Sequence, residues 1–70
     1  MINIWDYQEY NDTVTVLCTD NKKYSGQIIE VNDANEESDL GFGEDSISLM
    51  VEGKVIDIPQ SQISSIDTKN

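Results

Sequence analysis

The chain has no histidine, no arginine, one cysteine and one proline in 70 residues. Each shortage excludes something. A lone Cys18 forms no internal disulfide, and without histidine it has neither zinc-ligand partners nor a neighbouring base to make it a nucleophile. No enzyme, metal centre or cofactor is therefore expected. With no arginine and only Lys22, Lys23, Lys54 and Lys69 as bases, nucleic-acid binding is not expected, because phosphate is held mainly by Lys and Arg. No apolar run approaches the roughly 18 residues of a membrane span. "MINIWDYQEYNDT" also lacks the basic start and long apolar stretch of a signal peptide. The expected location is the cytoplasm, away from membranes.

Carboxylate is what the chain has in excess: fourteen Asp and Glu against four Lys, a formal net charge of -10. Such a surface keeps a protein soluble, and it also attracts basic partners. A chain of this length makes one domain with a thin core, and such domains gain burial by pairing, so a homo-oligomer is expected.

The apolar pattern is that of strands. Val14, Val16 and Cys18 alternate with Thr15, Leu17 and Thr19, a period of two in residues that suit a pleat. Asp20 and Asn21 can turn the chain, and "KKYSGQIIEV" resumes the extended pattern to complete a hairpin. Gly26 inside that second strand marks a bend or a close backbone approach. The apolar positions then move from even (Tyr24, Ile28) to odd (Val31), which points to a bulge or to a strand that passes from one sheet face to another. "SISLMV" places Ile47, Leu49 and Val51 on one face. Glu52 and Gly53 turn the chain, and "KVIDI" returns with Ile56 and Ile58 inward. Pro59 ends that strand, "PQSQ" turns, and Ile63 and Ile66 are buried in a last short strand. Leu17, Met50 and Val55 face outward by parity. The expected fold is mainly β: five strands in a strongly bent antiparallel sheet, closed as a small SH3-like barrel over residues 13–67. Residues 1–12 form an arm or short helix, with Asn3 as cap and Asp6 echoing a capping box; Trp5 covers one end of the barrel, the alternative being that Trp5, Tyr7 and Tyr10 make an exposed recognition face.

Residues 32–45, "NDANEESDLGFGED", hold six carboxylates. From Asp33, the oxygen-bearing Asp33, Asn35, Glu37, Asp39 and Glu44 fall at positions 1, 3, 5, 7 and 12 of a calcium loop. Position 6, where such a loop needs glycine, is Ser38, and the flanks are strands rather than helices. The competing readings are a solvated connection and a partner-binding loop, the latter because long connections in compact domains are more often functional or disordered than incidental. In the partner-binding reading Asp33, Glu36, Glu37, Asp39, Glu44 and Asp45 make an acidic rim around the apolar anchors Leu40 and Phe42. The alternative for Phe42 is that it folds back onto the barrel.

"VTVLCTDNKKYSGQIIEVND" resembles the first signature of the Sm and Sm-like proteins, with Val14, Val16, Cys18, Asn21, Tyr24, Gly26 and Ile28 at its apolar, turn and glycine positions. "SISLMV" resembles the third strand of that family, and "IPQSQISSI" is similar in spacing to the second signature, with Ile58, Ile63 and Ile66 at its apolar places. The resemblance covers residues 14–66, and in its acidic loop followed by "SI" and its ending "IPQSQISSID" the chain also resembles a group of small acidic bacterial and phage proteins of this kind. It implies the barrel, an N-terminal helix across it, and dimer or ring assembly through the edges of the last two strands. RNA-binding members form a base pocket from Asp, Asn and Arg-Gly, and the matching positions here are Asn32, Ser48, Pro59 and Gln60. Proline offers neither the charge nor the donors of a guanidinium. The expectation is a non-enzymatic, oligomeric protein-interaction module that lacks RNA binding through the usual pocket. The alternative is an acidic inhibitor from a phage or mobile element, a nucleic-acid mimic that occupies the basic channel of a host nuclease or defence protein.

Overall fold

The computed structural model describes residues 3–34 and 43–68. Five strands, β1 (Thr13–Cys18), β2 (Lys23–Asn32), β3 (Ser46–Val51), β4 (Lys54–Pro59) and β5 (Ile63–Thr68), form one sheet in the order β4-β3-β2-β1-β5. Every neighbouring pair is antiparallel. The core is Ile4, Val14, Val16, Cys18, Val31, Ile47, Leu49, Ile58, Ile63 and Ile66; alternation along the strands draws the strand residues to one face, and Ile4 joins them from the N-terminal turn. Trp5, Tyr7, Tyr10, Tyr24, Ile28, Val51 and Ile56 pack against it, partly buried. Among the described residues no helix is long and apolar enough to cross a membrane.

Local chemistry fixes each turn. After β1, Asn21 takes a positive φ of 70°. Asp20 Oδ1 accepts from Lys22 N (3.1 Å), and Cys18 N donates to Lys22 O (2.8 Å). The loop between β3 and β4 has only two residues, Glu52 and Gly53, at φ 50° and 81°, the paired positive angles of a tight hairpin. The apolar phase shift in β2 is a bulge: Ile28 opposes Leu49 while Glu30 opposes Ser48, leaving Ile29 as the extra residue. A second bulge lies in β5, where Leu17 opposes Ser65 and Cys18 opposes Ile63. It explains how Ile63 and Ile66, three apart, both face the core. At Gly26 a Cβ would lie 1.9 Å from the Met50 carbonyl oxygen, so the bend here is a backbone-on-backbone approach that only glycine permits.

Two expectations are corrected. The sheet is not closed into a barrel: β4 and β5 end it as its two edges. The chain between them is a 3-10 turn, Gln60–Gln62, whose backbone is tied to other strands' ends. Gln60 N donates to Asp45 O before β3 (2.9 Å) and Gln62 O accepts from Thr19 N after β1 (2.9 Å). The turn therefore arches over the end of the sheet without a β4–β5 ladder. The N-terminal helix is reduced to one 3-10 turn, Ile4–Tyr7. Asn3 does cap it, accepting from Trp5 N at 3.1 Å, but its backbone bonds run to the third residue back, as in Asp6 N to Asn3 O at 3.3 Å. Burial of Ile4, fully enclosed in the core, holds this turn in place.

Candidate protein-interaction site

The acidic connection leaves β2 at Asn32 and returns at β3 through Glu44 and Asp45, and both ends are fastened by side chains. Asn32 is buried, and its Nδ2 donates to Ser46 Oγ (3.2 Å) and Ser48 Oγ (2.9 Å). Ser48 Oγ in turn donates to Asp57 Oδ1 at 2.5 Å. The register sets this chain, with Asn32 opposite Ser46, and Ser48 opposite Asp57. A buried amide would cost several kcal/mol if unpaired, about 1–3 kcal/mol by mutational measures, so the serines make Asn32 tolerable there.

Asp45 is a clasp. Its Oδ2 accepts from Trp5 Nε1 at 2.8 Å, and its Oδ1 accepts from Ala34 N at 3.0 Å. The Trp5 bond first, and the Ala34 bond second, hold its carboxyl below the ordinary value of 3.8 against a smaller opposing effect of burial. Glu44 grips the 3-10 turn before β5: Oε1 accepts from Ser61 N (2.6 Å) and Oε2 from Ser61 Oγ (2.9 Å). These two carboxylates, expected on the rim of a partner-binding loop, are engaged within the fold. Asp33 is half-buried at the foot of the connection. Glu36, Glu37, Asp39, Leu40 and Phe42 lie outside the described residues, as do Asn35 and Ser38 of the calcium-like spacing. Among the described residues no three potential ligands gather as a metal site, and no cavity opens.

Asn32, Ser48, Pro59 and Gln60, which the sequence resemblance set against a base pocket, lie near one another. Asn32 and Ser48 are hydrogen-bonded, Pro59 stands opposite Ser46, and Gln60 begins the turn after β4. Within this group Asn32, Ser48 and the carboxylate of Asp57 form a hydrogen-bonded chain that carries no cation. Cys18 is buried, and burial first, then Asp20, push its thiol above 9.0 against the opposing effect of Lys22, which suits packing rather than attack on a substrate.

Ser46, Asp57 and Ser61 were not anticipated from sequence. For Asp57 a signal existed: a two-residue turn at Glu52 and Gly53 obliges Ser48 to face Asp57. Ser61 had none, because its bond to Glu44 spans 17 residues. Comparison with family models, curated proteins and solved structures found no match to this chain.

Proposed function

We propose that this chain is a non-enzymatic, cytoplasmic protein-interaction module of the Sm-like kind, assembling with copies of itself and not binding RNA through the usual base pocket. The observation that carries the reading is the open sheet, whose two ends are the unlike strands β4 and β5. A free strand edge presents unpaired backbone groups to another chain. Pairing β4 of one copy with β5 of the next is head-to-tail and generates a ring where the rotation closes. The loss of RNA binding is supported by Pro59 and Gln60 at the places of a guanidinium and glycine, and by the charge of -10. Size-exclusion chromatography with light scattering is expected to give one defined mass above that of a monomer; a monomer throughout the micromolar range overturns the oligomeric reading.

The charge also favours the second reading, an acidic phage or mobile-element inhibitor that mimics nucleic acid toward a basic host nuclease or defence protein. Its test is neutralisation of Glu36, Glu37 and Asp39 together, sparing Glu44 and Asp45 because those two support the fold. Affinity for a basic partner should fall in the triple variant and with rising salt; indifference to both removes this reading.

A further inference from the structure

The outer side of the sheet is not uniform. On β2, β3 and β4 the register places Gln27, Met50 and Val55 in one row, and Glu30, Ser48 and Asp57 in the next. Ile29, the bulged residue, lies between these rows. Ile29, Met50 and Val55 are exposed by 51%, 39% and 54%, and they are the exposed large hydrophobics among the described residues. Isolated surface apolar residues need no explanation. Met50 and Val55 are cross-strand neighbours, and Ile29 is bulged out of β2 between the rows of Gln27 and Glu30; with no exposed large hydrophobic on β1 or β5 among the described residues, the three make a patch. Strand propensity does not require them, because β1 meets the same preference for branched side chains with Thr13 and Thr15.

We infer that this outer face of β2–β4 is a docking surface for a basic, amphipathic segment of another protein, its apolar side chains on Ile29, Met50 and Val55 and its cations on Glu30 and Asp57. The inference rests on the reading of the chain as an interaction module, and adds a surface distinct from the sheet edges and the acidic connection. Charge selects the occupant. The two carboxylates share the face with the apolar patch, whereas Lys54 opposes Val51 and has the other parity. Lys23, at the far end of β2, opposes Leu17. A second copy would bring the same Glu30 and Asp57 against themselves. The chain's own connection would bring Glu36, Glu37 and Asp39. Like charges so juxtaposed are repelled, and lysine or arginine is attracted.

The test titrates the full chain with a short peptide alternating leucine and lysine, and with a serine–lysine peptide of equal charge, at about 0.15 M salt, where screening acts beyond ~8 Å. The leucine–lysine peptide is expected to move the amide signals of Ile29, Glu30, Met50, Val55 and Asp57. It should bind about tenfold more tightly than the control. Met50→Ser with Val55→Ser should remove that advantage. Glu30→Gln with Asp57→Asn should weaken both peptides about threefold. Equal affinity for the two peptides, no binding, shifts confined to residues 32–45 or to β5, or indifference to the serine substitutions overturns the proposal. Light scattering on the same samples separates the readings: a fall in oligomer mass in the serine variant would assign the patch to a second copy and overturn the docking of a basic partner. An unchanged oligomer without peptide binding overturns this surface alone.

Discussion

The two flanks of the sheet are built alike inside and differently outside. On the β1 flank, Val14 and Val16 are 1% and 0% exposed; on the β3 flank, Ile47 and Leu49 are both 0%. Outward, β1 carries Thr13, Thr15 and Leu17, all half-buried, with Thr15 and Ser25 joined hydroxyl to hydroxyl at 3.0 Å. The β3–β4 flank instead exposes Met50 and Val55 beside Asp57. The core leaves little choice of residue on the inner side, where removal from water contributes about 25 cal/mol per Å² of apolar surface. Outer positions are free of that demand, so their divergence carries information about what each flank meets.

The sharpest way to break the comparison is at the bend that brings the flanks together. Gly26→Ala places a Cβ on the Met50 carbonyl, and backbone cannot swing aside as a side chain does. The loss should exceed about 4 kcal/mol, visible as a chain already unfolded, or nearly so, in a urea titration at 25 °C. Next come the paired inner truncations. Leu49→Ala should cost about 3 kcal/mol and Val16→Ala about 2 kcal/mol, as cavities in one core. If urea midpoints show one flank unaffected, the two do not share a core. Asn32→Ala, which strips the donor from Ser46 and Ser48, should cost about 2 kcal/mol by the same measurement, and has no counterpart on the β1 flank.

The clasp at Asp45 predicts a pH effect. Its folded carboxyl titrates below the ordinary 3.8, so its contribution is fully present above the unfolded value and disappears as pH falls through the lower folded one. Trp5→Phe, which removes the leading cause of the shift, should lower the melting temperature at neutral pH. It should also shrink the difference between neutral pH and pH below 3.8. An undiminished difference would assign the acid sensitivity to other carboxylates. The smallest effect is expected outside: Val55→Thr, which makes the β4 surface resemble that of β1, should change stability by no more than about 0.5 kcal/mol. A larger loss would mean that the outer face of β4 is already covered in the free protein.

Much of this architecture was legible in the residues. The alternation in β1, the turn residues at Asn21 and at Glu52 and Gly53, the close approach at Gly26 and the phase shift that became the Ile29 bulge all appear as departures from, or matches to, a period of two. The two turns depend on near neighbours in sequence, whereas the Gly26 approach to Met50 and the bulge against β3 are distant contacts that the residue type and the phase of β2 alone betrayed. The candidate site was less legible. Glu44 and Asp45 read as part of a partner-binding rim, and their side-chain donors within the fold, Ser61 and Trp5, lie 17 and 40 residues away. No local pattern announces a bond across that separation. The same distance effect governs the N-terminus. Asn3 caps as its type suggests, but insertion of Ile4 into the core accompanies one 3-10 turn where an arm or short helix was expected.

The sequence by itself determined that the chain is mainly β, acidic by -10 and without an internal disulfide, because composition and two-residue periodicity depend only on which side chains follow one another. Tertiary structure alone decided that the sheet stays open, with β4 and β5 as separate edges. It also turned Glu44 and Asp45 into fastenings, and set Met50 opposite Val55 on the exposed side of the sheet. The physical reason is register: bulges, a two-residue turn and one glycine contact determine which distant residues share a row, and a shift of one residue would send each of them to the other face.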